Sequence, residues 1–142
     1  MTKKNKNNSI FYAFEFPEYT ENRGSLVPLE FDENLPFTPK RVYFLHSTPK
    51  NMVRGAHSHF IEEEIFMCIA GSCTAVIDFD GTEKREILLD SAKKAIFVGK
   101  NVWHEFNNFS SDAILLCLSS VNYLPGESNY ELNYEAFQNF YK

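Results

Sequence analysis

The chain has 142 residues, 44% of them hydrophobic and 15% aromatic, with a formal net charge of -5. That length fits one domain around one core. Its 14 basic residues form no cationic block, which argues against nucleic acid as a partner, and no run approaches the ~20 apolar residues of a membrane-spanning helix.

Residues 1–10 read as a polar tail, without the apolar centre of a secretory signal, ahead of a single domain over residues 11–142. The expected compartment is the cytoplasm. The three cysteines (Cys68, Cys73 and Cys117) each lie in an apolar run, and their odd number reads as buried thiols rather than a disulfide framework.

Phe11 to Phe16 is aromatic-rich and reads as a short strand. A glycine turn at Arg23-Gly24 leads into an apolar stretch, and Pro36 and Pro39 punctuate a loop. Strands are predicted over Arg41–His46, Glu64–Ala70 and Cys73–Phe79, the last leading into Asp80-Gly81, a two-residue hairpin signal. Glu83–Leu89 returns, and Ala95–Val98, Val102–Phe106 and Ala113–Ser120 are further short strands. Closely spaced short strands predict an all-β sandwich or barrel. Only the tail, Tyr130 to Tyr141, has helical spacing, with Tyr134, Phe137 and Tyr141 on one face. The N-terminal aromatic segment, set apart by Glu18 to Arg23, is a candidate to pair with a second subunit, so a homodimer is expected.

The chemistry concentrates in Arg54-Gly55-Ala56-His57-Ser58-His59 and in Val102-Trp103-His104. On an extended strand His57 and His59 point to one face, because side chains alternate. Each ring carries a donor and an acceptor that need partners, so a buried pair without a use is costly. Glu64 has the opposite parity and joins that face only if Phe60–Glu63 turns. Glu62-Glu63-Glu64 also reads as a solvated acidic run, and His46 as structural. Trp103 suits either barrel filling or ring stacking, and Arg54 suits a surface ion pair or a phosphate.

Together, Arg23-Gly24-Ser25-Leu26, Lys40-Arg41-Val42-Tyr43, the Arg54–His59 block, Gly71-Ser72-Cys73 and Val102-Trp103-His104-Glu105 resemble the sugar 3,4-ketoisomerases, in the family's order. These are cupins that act on dTDP-4-keto-6-deoxyglucose. The resemblance implies an all-β cupin jelly-roll barrel with a short C-terminal helix, a homodimer with exchanged N-terminal strands, and catalysis with no metal or other cofactor. It places the acid/base roles on His57 and His59 and a further catalytic role on Arg41. Arg23, Tyr43, Arg54, Trp103 and His104 are the expected substrate-binding residues. The expected partner is a dTDP-linked keto sugar, isomerised to a 3-keto sugar on the way to 3-amino-3,6-dideoxy sugars of surface glycans.

Two rival readings stand beside this one. His57, His59, Glu64 and His104 form a credible three-histidine, one-carboxylate metal set. Glutamate at position 64, where the ketoisomerases carry glutamine as often, favours that reading. A non-catalytic sugar-nucleotide-binding cupin would keep the arginines without requiring both histidines.

Overall fold

The architecture is two antiparallel sheets packed face to face, seen in a computed structural model that describes residues 9–142 and the backbone of Lys3–Lys4. The first sheet has the order β1-β2-β10-β7-β12-β5: β1 (Lys3–Lys4), β2 (Ile10–Glu15), β10 (Lys94–Val98), β7 (Glu64–Ala70), β12 (Ile114–Ser119) and β5 (Arg41–His46). The second has the order β13-β6-β11-β8-β9: β13 (Tyr130–Glu131), β6 (Arg54–His59), β11 (Trp103–Asn107), β8 (Cys73–Asp78) and β9 (Arg85–Leu89). A separate hairpin joins β3 (Tyr19–Glu21) to β4 (Gly24–Leu26). Crossovers between the sheets close the jelly roll, and this is the all-β cupin barrel that the resemblance implies. Most of the polar tail expected over 1–10 lies outside the described residues, but Ile10 already belongs to β2.

The main core lies between the sheets. Phe66, Cys68, Ile96, Val98, Leu115 and Cys117 of the first sheet meet Cys73, Ala75, Ile77, Leu89 and Phe106 of the second. A second cluster, with Ile65, Met67, Phe97 and Leu118, covers the outer face of the first sheet beneath Val27, Leu29, Leu35 and Phe37. β7 is therefore apolar on both faces from Ile65 to Cys68, and its sequence shows a continuous apolar run instead of alternation. β5, at the sheet edge, alternates cleanly: Arg41, Tyr43 and Leu45 turn inward while Val42, Phe44 and His46 are exposed. Each fully buried side chain of Leu or Phe size contributes about 1.5–3 kcal/mol.

Three local expectations need correction. Asp80-Gly81 is not a two-residue hairpin, because the last pair across β8 and β9 is Ile77 with Arg85. The buried Asp78 carboxylate organises this longer loop, accepting the amides of Asp80 (3.1 Å) and Gly81 (2.8 Å) and the phenol of Tyr134 (2.7 Å). The tail helix, α1, covers only Tyr134–Asn139, because Asn133 caps it through the Ala136 amide. Tyr130 and Glu131, read as helix, instead pair with His59 and Ser58. No helix among the described residues is long and apolar enough to cross a membrane.

Gly71 ends β7 at a φ of +62°, and a Cβ there would meet Ser110 Oγ at 2.2 Å and Asp112 Oδ1 at 2.5 Å. Gly71→Ala should lower the unfolding free energy by at least about 2 kcal/mol, from left-handed strain and overpacking together. Urea melts read this directly, and an unchanged midpoint would show that the Ser110 turn yields freely.

Candidate active site

A bulge in β6 sets the geometry. Gly55 and Ala56 both have positive φ (79° and 62°), and the register against β11 shifts between His104, opposite His57, and Glu105, opposite Gly55. At Gly55 an added Cβ would lie 3.0 Å from the His104 carbonyl oxygen, so the strands approach closely only because it is absent. A non-glycine residue in this conformation is strained by about 1–3 kcal/mol, and such strain collects at functional sites. The bulge turns His57 and His59 toward His104.

These three rings form a compact cluster. Centroids are 4.6 Å apart for His57 and His59, 4.7 Å for His57 and His104, and 5.2 Å for His59 and His104. Phe60–Glu63 does turn, and Glu64 enters from the facing sheet. Its Oε2 lies 3.4 Å from His104 Nε2 and 3.6 Å from His59 Nδ1. Its Oε1 accepts the Tyr43 hydroxyl at 2.9 Å and the Cys117 thiol at 3.4 Å. Tyr130 stands edge-on over His57 and His59, with centroids 4.9 and 4.7 Å away.

Glu62 is part of no solvated run: it has no exposed surface. Its Oε1 accepts Arg41 Nη2 and Ser119 Oγ, both at 2.6 Å, and its Oε2 accepts Asn129 Nδ2 at 2.9 Å. Arg41 also lies over the Tyr43 and Tyr123 rings. Nothing in the local sequence separates Glu62 from Glu63. The signal is tertiary, since the partners of Glu62 come from β5, β12 and the segment before β13.

The expected site residues divide. Arg41, Tyr43, His57, His59, Glu64 and His104 come together. Trp103 does not, because it sits on the opposite face of β11 from His104, buried against Phe137 and Tyr134 of α1, and its indole N–H donates to Glu105. Arg23 extends from the β3–β4 hairpin, exposed and paired with Glu21, and Arg54 is exposed at the start of β6. None of these three lines the cavity of about 820 Å³ that His57 shares with Phe60, Tyr123, Tyr130, Glu131 and Leu132. Tyr123, Asn129 and Tyr130 are additions that sequence reasoning missed; it placed Tyr130 in the tail helix and had no signal for the other two.

Burial keeps the His57 and His59 imidazoles uncharged, and its partners keep the Glu64 carboxylate charged. Burial, then His104 and His59, push His57 down to about 2; burial and His104, against Glu64, push His59 down to about 3. Both rings are neutral near pH 7, and the protonated forms are disfavoured by burial. Burial alone would raise Glu64, but His104, His59 and Tyr43 outweigh it and hold its carboxyl at about 2. Burial, then Glu64, raises Glu62 against the hydrogen bonds of Ser119 and Asn129. Burial, then Glu64, also raises the Tyr43 phenol, which stays a donor.

The cluster also has the donors for a metal. His57, His59 and His104 each offer a nitrogen, all within 4.8 Å of one another. Glu64 Oε2 and His104 Nε2 are buried, face each other at 3.4 Å, and lack a hydrogen-bond partner. His104 Nδ1 lies 3.1 Å from the Val102 carbonyl, an acceptor, so a positive charge between Nε2 and Glu64, from a proton or a metal ion, satisfies both. The three imidazoles form one candidate ligand set for a divalent first-row ion, and His59, Glu62 and Glu64 form a second; the two share only His59.

Stability should depend on acid in a defined way. Below pH 6.5 the unfolded chain protonates His57 and His59 while the folded chain excludes those protons, and below 4.5 the same holds for Glu64. Stability present at neutral pH is therefore lost as pH falls from 6.5. The melting temperature should decline from pH 7 to pH 4, with the first part of the decline shallower in His57→Asn. A decline of equal slope in that variant would remove His57 as a cause.

Residues 9–142 match the family model described as FdtA: WxcM-like, C-terminal. The chain is 39% identical over 128 residues to the TDP-4-oxo-6-deoxy-alpha-D-glucose-3,4-oxoisomerase of Aneurinibacillus thermoaerophilus, covering 90% of each chain. A 3,4-ketoisomerase from Helicobacter canadensis superposes with a TM-score of 0.84 at 36% identity, over 92% of this chain and 96% of that one. A histidine-to-asparagine mutant of a 3,4-ketoisomerase from Thermoanaerobacterium thermosaccharolyticum, in complex with TDP-4-keto-6-deoxyglucose, superposes at 0.85 with 28% identity over 92% of each chain. By the extent of these matches, this chain belongs to the FdtA: WxcM-like, C-terminal family.

Proposed function

We propose that this chain is a sugar-nucleotide 3,4-ketoisomerase that converts dTDP-4-keto-6-deoxyglucose to a dTDP-3-keto-6-deoxyhexose, a precursor of 3-amino-3,6-dideoxy sugars. The observation that carries the reading is a neutral imidazole pair at the base of a cavity, with His57 on the cavity wall and His59 directly behind it. Moving the carbonyl from C4 to C3 requires loss of the C3 proton, an enediol(ate), and proton delivery to C4. Both histidines are held neutral, the form that can accept a proton, and the nearby Glu64 carboxylate favours the charge that results. His57 takes the C3 proton, and His59 assists transfer between the oxygens or to C4.

Negative charge on the enediolate oxygen calls for a fixed cation. Arg41, held in place by Glu62 and Tyr43, is the candidate. Tyr43 acts indirectly, as a donor to Glu64. For the diphosphate we propose Arg54 and Arg23, whose planar forks suit phosphate. Arg23 would reach a site as part of the N-terminal segment exchanged between two subunits of a homodimer. The exposed Val42 and Phe44 on edge strand β5 support a second copy of the chain as partner, and the free cysteines suit a cytoplasmic setting.

The partnerless Glu64 and His104 atoms favour a second reading, a metal cupin on the same ligands. A metal held by His57, His59, His104 and Glu64 would supply Lewis acidity toward the sugar oxygens.

Incubation with dTDP-4-keto-6-deoxyglucose in deuterated water should yield a carbonyl at C3 and deuterium at C4, visible by NMR. His57→Asn should reduce turnover by at least about 100-fold, the scale of a lost general base. Chelator-treated, metal-free protein should keep its rate; loss that added metal restores would instead establish the metal reading.

A further inference from the structure

Glu62 is a buried carboxylate to which this mechanism gives no part beyond holding Arg41. Within the Glu62-Glu63-Glu64 run, the sequence singles out only Glu64. A carboxylate without exposed surface is costly to desolvate unless it is fully engaged. Glu62 is engaged by a charged guanidinium, a hydroxyl and an amide, all within 2.9 Å. Its Oε2 also lies 3.2 Å from His59 Nε2. The same side chain thus touches both members of the proposed machinery that approach from different sheets: Arg41 on β5 and His59 on β6.

The two nitrogens of His59 face two carboxylates, Nε2 toward Glu62 and Nδ1 toward Glu64 at 3.6 Å. The orientation of this ring, and which nitrogen carries its proton, are therefore decided by those carboxylates. Glu64 is shared with His104, Tyr43 and Cys117. Glu62 has the shorter approach to His59 and is tied to Arg41 and Asn129. Asn129 immediately precedes Tyr130, which stands over both His57 and His59.

We infer that Glu62 is a positioning residue of this active site, binding Arg41 and His59 into one buried unit that fixes the His59 ring and its tautomer behind His57. This rests on the ketoisomerase reading and deepens it. The logic is that of an acid/base histidine oriented by a carboxylate that never meets the substrate. Glu62→Gln is the informative change. It keeps the volume and leaves an acceptor for Arg41 and Ser119, but it replaces one carboxylate oxygen with an NH₂ donor. With that donor toward His59, Nε2 must become an acceptor and the ring proton must move to Nδ1.

The experiment compares wild type, Glu62→Gln, Glu62→Asp and Glu62→Leu. Glu62→Gln should lower kcat by about 10- to 100-fold, the usual range for a lost supporting contact behind an active-site ligand. KM should stay within about threefold, because substrate contacts are intact. Glu62→Asp should recover part of the loss. Nitrogen-15 NMR of labelled imidazoles should show the His59 Nε2 and Nδ1 signals exchanging character in Glu62→Gln. Melting curves separate a loss of fold from a loss of rate, and Glu62→Gln remains decisive if the leucine variant does not fold. Wild-type kcat in Glu62→Gln, or unchanged His59 signals, would overturn the positioning role. Absence of isomerase turnover in the wild type would overturn the ketoisomerase reading, while the His59 signals would still decide the role of Glu62.

Discussion

Two carboxylates with essentially no exposed surface, Glu62 and Glu64, hold the site together. Taking a carboxylate out of water costs several kcal/mol even after the protein relaxes, so such groups persist only where charge and hydrogen bonds meet them. Here the compensation comes from Arg41, Tyr43, Ser119, Asn129, His59 and His104, drawn from both sheets and from the loop ahead of α1. The polar layer is thus a second set of crosslinks between sheets that otherwise meet through apolar side chains. Because the partners come from β5, β6, β11, β12 and the segment before β13, the two carboxylates tie that end of the barrel together.

Much of this was legible in the residues. The bounds of β5 and β7 followed from composition and from Gly71, and the shared face of His57 and His59 followed from strand parity. The turn that delivers Glu64 was implied by its parity alone. What stayed hidden was tertiary. Glu62 has the same local surroundings as its exposed-looking neighbours, and only the approach of Arg41 and Asn129 marks it as buried. Trp103 has the composition of a stacking ring, yet its parity relative to His104 sends it to the opposite face, under α1. Tyr130 has helical spacing to Tyr134, but the free edge of β6 recruits its backbone first.

The apolar design explains why the site can be this polar. The core between the sheets is sealed by Phe66, Phe106 and their neighbours immediately beneath the imidazoles, and Phe66 lies 5.5 Å from the His104 ring. That floor keeps water from the rear of the cluster and depresses the proton affinity of His57 and His59. On the other side, Tyr130 and the segment around Tyr123 border the cavity. The histidines therefore sit at a boundary between a dry wall and an open one.

The bulge at Gly55 and Ala56 has an evolutionary corollary. Side chains around the cavity can be exchanged one at a time, since each hangs from a fixed backbone. An added or deleted residue near the bulge is another matter: a slip of one position would rotate both imidazoles out of the barrel at once. Descendants of this scaffold are thus free to change what they accept by substitution, while the spacing of the block itself is locked against length variation.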